Sequence, residues 1–328
     1  MTAPVEMTPQ AQPEAILKGV SGAAIEGRSP GQIAWMRLRR DRVAMAGGIY
    51  IVFLILVAII GPHLVQNPDT FHPNLVNPTF SRPIGPWGGI SLAHPLGVEP
   101  LYGRDMLARI VVGAQYSLLI ALLATLLAVS IGVVMGVIAG YFGGWIDAII
   151  ARAMDVFLAF PLLLFAIALV GVIPSTAFGL SGNSLRVGLL IFVIGFFAWP
   201  YIGRIIRGQT LSLREREFVD AARSLGARGP YILFRELLPN LVAPILVYST
   251  LLIPVNILFE AALSYLGVGI ILPTASWGGM ISDAINNQNY VTDPMSMIVP
   301  GLAIFLTVMA FNLFGDGLRD ALDPRSSR

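Results

Sequence analysis

The segment Leu213–Pro239 concentrates acidic and basic side chains between two long apolar runs. Within it, Phe218, Ala221, Ala222 and Leu225 recur at i, i+3, i+4, i+7, the spacing that places side chains on one face of a helix. This narrow apolar stripe contains no nucleophile, acid or base. The chemistry that it can perform is recognition, because small side chains allow another protein surface to approach closely.

Charges and chain breaks surround this stripe. Arg216, Asp220 and Arg223 follow at i, i+4, i+7 on another helix face, where opposite charges are predicted to pair. Gly226 suits a helix C-terminus because glycine accepts a positive φ. The proline of Gly229-Pro230 suits the first turn of a new helix. The pattern therefore predicts two short helices that meet at a bend.

The composition indicates that a lipid bilayer surrounds most of the chain. Of the 328 residues, 55% are hydrophobic and 12% are charged, whereas soluble domains have about 25% charged residues. The absence of cysteine excludes disulfides, thiolate metal sites and cysteine catalysis. Lys18, the single lysine, precedes Gly19, so a P-loop, which needs Gly-Lys-Ser/Thr, is also excluded.

Apolar runs on both sides hold the Leu213–Pro239 segment in place. They are long enough to cross a bilayer, since one crossing needs about 20 helical residues. The predicted fold is an all-α integral membrane protein with six transmembrane helices. The six runs are Ala44–Val65, Leu118–Gly140, Val156–Ile173, Val187–Ile206, Leu241–Phe259 and Met295–Phe314.

The distribution of basic residues predicts the orientation, because cytoplasmic loops carry an excess of arginine and lysine. With residue 1 inside, only four of the 21 basic residues fall in outer segments: Arg82, Arg104, Arg109 and Arg186. This bias predicts that the 208–240 loop and both ends of the chain are cytoplasmic.

The basic residues and the apolar runs together divide the chain into three predicted parts. Residues 1–43 form an N-terminal tail, disordered to about residue 34 and then basic, which we expect to contact membrane lipid. No apolar signal-peptide core occurs in the first thirty residues. Residues 44–316 form the membrane domain, with an outer loop at 66–116, and residues 317–328 form a cytoplasmic tail. No nucleic-acid partner is expected.

The outer loop offers a poor metal site, because its histidines lack close spacing and cysteine partners. We expect no metal and no cofactor. In the same loop, Asp105 lies beside Arg104 and near Arg109, where we expect it to balance charge at a lipid-facing edge. The chain's three histidines each adjoin a proline: His63, His72 and His94.

Two features of the apolar runs concern packing. Gly132, Gly136 and Gly140 form a ladder of small residues at i, i+4, i+8 that favours close approach of another helix, with a hinge as the alternative. The Phe160-Pro161 step is predicted to kink the third helix.

Glu260 is the one acid deep in an apolar run, and Asn256 precedes it by one turn. A charge at mid-bilayer costs about 2.5–3.5 kcal/mol, so such residues usually face the interior of a bundle. Two interpretations remain open for Glu260. It lines a pathway, or it is hydrogen-bonded near the outer surface and caps a break before Ser264.

One further pattern identifies a family. The succession Asp220-Ala221-Ala222, three residues, Gly226 and then Leu238-Pro239 resembles the EAA loop of bacterial ABC importer permeases, with Asp220 in place of the usual Glu and Glu236 at an often apolar position. The resemblance implies a short cytoplasmic coupling helix that docks on an ATPase subunit. The residues it marks are Phe218, Asp220, Ala221, Ala222, Leu225, Gly226, Leu238 and Pro239.

Three other stretches are similar to the C-type permease of dipeptide/oligopeptide importers: Glu260–Gly267, Trp277-Gly278 and Asn312–Arg325. The segments His94–Gly97 and Gly103–Leu107 resemble the same class. The resemblance implies a non-catalytic permease in the bacterial inner membrane. Its implied partners are a second permease, two ABC ATPase subunits and an extracytoplasmic substrate-binding protein.

Other functions remain as alternatives at this stage. Relatives of this build carry dipeptides, longer peptides, nickel chelates, haem or other small solutes. An ion-coupled secondary transporter would use intramembrane acids or histidines and inverted repeats, and neither is clear here. A membrane-embedded enzyme would need convergent His, Asp or Glu, whereas the histidines here are scattered.

Overall fold

The structure is a computed structural model that describes residues 30–323. It is predominantly helical, as predicted. The helices are α1 Pro30–Arg40, α2 Arg42–Leu64, α3 Met106–Phe142, α4 Gly144–Ala159, α5 Leu162–Val172, α6 Gly182–Arg214, α7 Glu217–Ser224, α8 Gly229–Tyr265, α9 Trp277–Asn286, α10 Asn289–Thr292 and α11 Met295–Leu322.

Short irregular elements occupy two connections. In the 66–105 segment, strand β1 (Val76–Asn77) pairs antiparallel with β2 (Arg82–Pro83). Between α5 and α6, β3 (Thr176–Ala177) pairs in the same way with β4 (Leu180–Ser181). Single 3-10 turns at Pro73–Leu75 and Pro86–Gly88 complete the first connection.

Five helices of the described part are long and apolar enough to cross a membrane, namely α2, α3, α6, α8 and α11. The pair α4–α5 passes the same test together and is bent by 78°. The bend lies at Phe160 and Pro161, which confirms the predicted kink. The break follows from proline, which cannot donate a backbone hydrogen bond inside a helix.

Helix α3, which has 37 residues, packs along α6 through its glycine ladder. A Cβ on Gly132 would lie 2.8 Å from the Trp199 carbonyl oxygen, and one on Gly136 would lie 2.6 Å from the Gly203 carbonyl oxygen. A Cβ on Gly140 would lie 2.6 Å from Cβ of Thr210. The two backbones therefore touch over two helical turns, which confirms the packing interpretation of the ladder.

Helix α2 packs on α11 in the same manner, because a Cβ on Gly47 would lie 2.8 Å from the Ala310 carbonyl oxygen. Helix α1 closes this pair at one end. Its Leu38 is buried in a cluster that includes Ala321, and Arg37 donates to the Asp323 carbonyl oxygen at 2.9 Å.

Helix α1 also corrects one expectation. The tail was expected to be disordered to about residue 34, but α1 begins at Pro30 and buries Ala34. The composition-based argument overlooked the i, i+4 spacing of Ala34 and Leu38, which are both buried, with Leu38 beside Ala321 of α11. The rest of the expected disordered tail, residues 1–29, lies outside the described residues.

Candidate coupling surface and buried polar clusters

Helix α7, in the 208–240 loop, is anchored by one apolar side chain. Val219 is fully buried and packs with Ile232 and Leu237 of α8. Tyr141, at the end of α3, packs against the same cluster. The face of α7 that meets the membrane domain is therefore the Val219 face, and the opposite faces remain open.

Three residues of the apolar stripe, Phe218, Ala221 and Leu225, are exposed on the open side of α7, whereas Ala222 is partly buried against the Val219 cluster. Leu225 is 89% exposed and Phe218 is 37% exposed. The stripe forms part of an open groove of about 650 Å³. The groove is lined by Phe218, Ala221, Ala222, Leu225, Gly226, Ala227, Arg228, Tyr231 and Glu236.

Gly226 ends α7 in the left-handed conformation, with φ of 83°. The Ala227 N–H donates to the Ala222 carbonyl oxygen at 3.0 Å, the hydrogen bond that closes a helix of this kind. A Cβ on Gly226 would meet nothing within 4 Å. The glycine is therefore required by backbone conformation, as predicted, and its surface is open.

The charges beside the stripe pair as expected only in part. Arg223 donates to Asp220 Oδ1 at 3.2 Å on an exposed face. Arg216 instead occupies the N-cap position of α7 and makes no side-chain capping hydrogen bond. Exposed pairs of this kind contribute about 0–1 kcal/mol, so the Asp220–Arg223 pair orients side chains more than it stabilises the fold.

The prediction of a second, separate short helix after Gly229-Pro230 is wrong. Pro230 lies in the first turn, as predicted, but the helix then continues without a break through Tyr265. A π-helical turn at Ile232–Leu237 lies immediately before the Leu238-Pro239 step. The wider turn accommodates a residue without an N–H.

The structure brings together most, but not all, of the residues that the sequence marked. Phe218, Ala221, Ala222, Leu225 and Gly226 share the groove, whereas Leu238 and Pro239 belong to α8 and do not line it. Asp220 is exposed outside it. Sequence reasoning missed Tyr231 and Glu236, because their proximity depends on how α8 returns against α7.

Two arginine side chains near the 208–240 loop connect the membrane helices to one another. Arg214, the last residue of α6, donates to the Gly140 carbonyl oxygen at 3.1 Å. Two turns earlier on α6, Arg207 forms two hydrogen bonds with Asp147 of α4, one of them at 2.7 Å. These hydrogen bonds join the C-terminal end of α3, the N-terminal end of α4 and the C-terminal part of α6, next to the loop.

At the opposite end of α3, charged side chains are buried. Arg109 is 1% exposed and lies 3.5 Å from Glu99 and 3.7 Å from both Asp283 and Asp69. Arg104 donates to both oxygens of Glu99, at 2.6 and 2.7 Å. We call these five side chains the Arg109 cluster. Burial, with the Glu99 charge beside it, raises the pKa of Asp283.

Asp105, which lies close to the Arg109 cluster in the sequence but is not part of it, has a different role from the one predicted. The expected charge balance with Arg104 at a lipid-facing edge is wrong, because both side chains are buried. Asp105 instead lies 2.5 Å from His94 Nδ1 and accepts the Ala108 N–H at 2.7 Å, so it caps the start of α3. Within residues 30–323, no group of three His, Cys, Asp or Glu side chains could hold a metal ion.

The two polar residues in the membrane span face neighbouring helices. Asn256 donates to Thr125 of α3 at 2.8 Å. Glu260 is fully buried, and the Ser264 hydroxyl donates to its Oε1 at 2.7 Å, one residue before α8 ends. This geometry resembles the hydrogen-bonded interpretation more than an open pathway. The role of either residue in transport stays a prediction.

The comparisons with known proteins give the family. Residues 132–328 match the family described as binding-protein-dependent transport system inner membrane component. Residues 29–81 match the N-terminal TM domain of oligopeptide transport permease C.

Curated relatives match nearly the whole chain. The glutathione transport system permease protein GsiD of Shigella flexneri serotype 5b (strain 8401) is 42% identical over 302 residues, 91% of each chain. GsiD of Escherichia coli O6:K15:H31 (strain 536 / UPEC) is 41% identical over the same share.

A solved structure agrees on the fold. The MetNI methionine ABC transporter in an inward-facing conformation includes a chain that matches with a TM-score of 0.53 at 16% identity. The match covers 66% of this chain and 98% of that one.

Permeases of this kind are not catalytic, and ATP hydrolysis belongs to partner ATPase subunits. The sequence pattern, the helical fold and the matches over 91% of the chain agree. The chain therefore belongs to the dipeptide/oligopeptide-type permease subunits of bacterial ABC importers, multi-pass proteins of the inner membrane.

Proposed function

We propose that this chain forms half of a translocation pathway for peptides that an extracytoplasmic binding protein delivers. The other half is a second permease of similar build, and two ATPase subunits bind on the cytoplasmic side. The observation that carries the proposal is the exposed apolar stripe of α7, which ends at Gly226 in an open groove. For the substrate, the support is that the GsiD relatives are glutathione transport system permeases, since glutathione is itself a tripeptide.

The geometry supplies a route for the coupling. Leu225 and Phe218 enter a groove of the ATPase subunit, so closure of the ATPase dimer displaces α7. Val219 transmits this displacement to α8 through its buried contacts with Ile232 and Leu237. Arg214 transmits it to the end of α3 through the Gly140 carbonyl. A close-packed interface moves as a unit because it is not continuously deformable.

The stripe suits this role because it is small and flanked by charge. Ala221 and Ala222 allow two backbones to approach closely, and the Asp220–Arg223 pair lies on the next face. Charge complementarity of this kind fixes register more than affinity. The groove also contains Tyr231 and Glu236, an aromatic and an acid that add specificity to the contact.

The decisive experiment is purification of the tagged chain from native membranes, followed by assays on the complex. We expect ATPase subunits and a second permease to copurify, and peptide-loaded binding protein to stimulate ATP hydrolysis. Uptake into proteoliposomes is then compared for glutathione, dipeptides, longer peptides, haem and a nickel chelate. Uptake of only a non-peptide solute would replace the substrate part of the proposal. A chain without a nucleotide-hydrolysing partner would overturn the whole.

Substitutions in the stripe separate coupling from folding. Asp220→Trp and Gly226→Trp should abolish uptake and binding-protein-stimulated ATP hydrolysis while the chain still inserts into the membrane. Both residues are exposed, and a Cβ on Gly226 would meet nothing within 4 Å among residues 30–323. The positive φ of Gly226 adds local strain of about 1–2 kcal/mol, so Asp220→Trp, at an ordinary helical position, is the variant that separates coupling from folding. Normal coupling of uptake to ATP hydrolysis in both variants would show that this loop does not couple the ATPase subunits to the membrane helices.

A further inference from the structure

A stripe of polar and small residues runs along the exposed face of α6, in the half of the helix that leads to the 208–240 loop. The spacing i, i+3, i+7 and i+11 places four residues on one helix face: Tyr201, Arg204, Gly208 and Ser212. All four are exposed, whereas no aliphatic or phenylalanine side chain of α6 is exposed between Val193 and Arg214. We call these four residues the α6 polar stripe.

The glycine seam with α3 gives the depth of the α6 polar stripe in the bundle. A Cβ on Gly136 of α3 would lie 2.6 Å from the Gly203 carbonyl oxygen, so Gly136 and Arg204 lie at about the same level. Just before Gly136, α3 exposes Val134 at 54% and Met135 at 37%. At one depth, the two helices therefore expose apolar side chains on α3 and a guanidinium group on α6.

The two exposed surfaces at this depth suit two different environments. Exposed apolar side chains suit lipid tails, and α3 continues to expose them as far as Phe142, beyond the level of Arg204. A charged side chain within a membrane span is costly, and such residues almost always face the interior of a bundle or a water-filled cavity. The α6 polar stripe therefore faces away from lipid, although α3 faces lipid at the same depth.

An ion pair extends the polar surface from α6 onto α4. Arg204 donates to Asp155 Oδ1 at 2.6 Å, and the two side chains are 54% and 53% exposed. Met154, the neighbour of Asp155, is buried, and a Cβ on Gly203 would lie 2.7 Å from its Cε. The pair thus lies at the edge of a closely packed contact, where α4 and α6 present one charge of each sign side by side.

The exposure of both charges favours a hydrated cavity over a dry contact with another protein. Burial of an ion pair removes hydration that the mutual attraction replaces only with excellent geometry and further hydrogen bonds. The second ionic contact of Asp155 is a long one, at 3.9 Å from Arg152, whose side chain is 86% exposed. A cavity that contains water keeps both groups of the pair hydrated. Between two permease subunits, such a cavity is the translocation pathway.

We propose that the α6 polar stripe and Asp155 line the half of the translocation pathway next to the 208–240 loop, where Arg204 and Asp155 contact the charged termini of the transported peptide. The proposal rests on the proposed function, which supplies the second permease and the peptide. A peptide carries a carboxylate and an ammonium group, and the pair offers a guanidinium group and a carboxylate. Exposed pairs contribute little to stability, so this pair exchanges partners readily, and passage requires contacts weak enough to release.

The first test measures the access of water to the stripe. The chain has no cysteine, so Tyr201→Cys gives it a single thiol. Val134→Cys on α3 is the matched control, because both positions are 54% exposed and lie near the same level of the seam. A water-soluble thiosulfonate reacts with the thiolate, which apolar surroundings disfavour. In the reconstituted complex without nucleotide, we expect Tyr201→Cys to react at least about tenfold faster than Val134→Cys.

Two outcomes of the labelling would overturn the proposal. Equal rates for the two thiols would show that the stripe and the lipid-facing side of α3 have the same environment. An unreactive thiol in Tyr201→Cys would show that another protein covers the stripe without water. Neither outcome depends on the identity of the transported solute.

The second test measures selectivity by the charge of the peptide, which a purely structural ion pair would not change. Uptake is compared for two tripeptides that differ only in a glutamate or a lysine side chain, each delivered by saturating loaded binding protein. Arg204→Glu replaces attraction of the acidic peptide by repulsion at short range. We expect the ratio of acidic to basic peptide uptake to fall at least about fivefold relative to the unsubstituted complex.

Arg40→Glu is the control for this ratio, because it reverses an exposed charge on α1, which packs on α2 and α11. We expect its ratio to stay within about twofold of the unsubstituted complex, since salt screens distant exposed charges. Arg204→Gln, which adds no second acid beside Asp155, should shift the ratio in the same direction by less. An unchanged ratio in both Arg204 variants would overturn the contact with the peptide.

The two proposals fail in distinguishable ways. If the unsubstituted complex takes up no peptide, the proposed function fails for this substrate class. If it takes up peptides and the thiol of Tyr201→Cys reacts no faster than that of Val134→Cys, only this inference fails.

Discussion

The Arg109 cluster and the stripe of α7 lie at opposite ends of α3, and they differ in which kind of side chain is exposed to solvent. In the cluster, charged groups are buried and paired within the chain, with Arg109 at 1% exposure. On the stripe, an apolar group is exposed, with Leu225 at 89%. Each arrangement is unfavourable in isolation, because charges prefer water and leucine prefers burial.

The difference separates what the chain completes by itself from what it leaves for a partner. In the cluster, Glu99 and Asp283 of two different segments converge on Arg109, so the outer loop and α9 are fixed without any other protein. Among residues 30–323, by contrast, nothing buries Phe218, Ala221 or Leu225 of the stripe. Substitutions in the cluster should therefore change stability, and substitutions on the stripe should change association.

The largest expected effect is from Arg109→Gln. Removal of this cation leaves the buried acids Glu99 and Asp283 to share the single cation Arg104, which should lower the free energy of unfolding by about 3–5 kcal/mol. Thermal unfolding of the purified subunit in lipid measures the loss. Arg152→Gln is the control, since its side chain is 86% exposed and it lies 3.9 Å from Asp155, a geometry that contributes about 0–1 kcal/mol. Equal melting temperatures for the two variants would contradict the structural role of the cluster.

An intermediate effect is expected at the seam between α3 and α6, which joins the two regions. Gly136→Ala places a Cβ 2.6 Å from the Gly203 carbonyl oxygen, and the resulting overpacking should cost about 1–3 kcal/mol. Gly208→Ala, on α6, meets nothing within 4 Å and should be neutral or stabilising by up to about 1 kcal/mol. The same assay compares the two, and a Gly136→Ala chain as stable as Gly208→Ala would show that the seam is loose.

A small effect on stability but a large one on association is expected from Leu225→Glu. Its side chain contacts little of this chain, so the free energy of unfolding should change by less than about 0.5 kcal/mol. The charge should prevent the apolar face from binding, and copurification of the ATPase subunits measures that loss. Val219→Glu on the buried face should instead destabilise the chain. Unchanged copurification with Leu225→Glu would assign the docking surface elsewhere.

The smallest effect concerns pH. Burial and the Glu99 charge raise the pKa of Asp283 above its usual 3.8, so the folded chain binds this proton more tightly than the unfolded chain. The stabilisation from this group is therefore present below about pH 3.8 and is lost as the pH rises through the raised pKa. Asp283→Asn should flatten the pH profile of unfolding in that acidic window. An unchanged profile would show that another group titrates there.

Local patterns predicted the features that depend on a few neighbouring residues. The i, i+3, i+4, i+7 spacing from Phe218 to Leu225 gave the stripe, and the positive φ of Gly226 follows from the chemistry of helix ends. The break at Pro161 follows from its missing N–H. These features need no knowledge of distant contacts.

The glycine ladder predicted close helix packing, but the particular residues that meet across distant segments were not predicted. Arg109 is buried because Glu99, ten residues before it, and Asp283, far along the chain, meet it in space. Tyr231 lines the groove because α8 returns against α7. A single sequence gives neither the rotation of each helix nor the pairing of segments. The same limit explains two wrong predictions: the lipid-facing position of Asp105, and a short helix separate from the rest of α8.

The seam between α3 and α6 also fixes the topology of the chain. Contacts along it advance in the same order on both helices, from Gly132 with Trp199 to Gly140 with Thr210, so the two helices run in the same direction. A chain that traverses a bilayer twice in one direction must return between the two passages. The bent pair α4–α5 is the only described helical segment between them, and it must be that return. The number of crossings is then even, in agreement with the contact between Arg37 and Asp323 on one side.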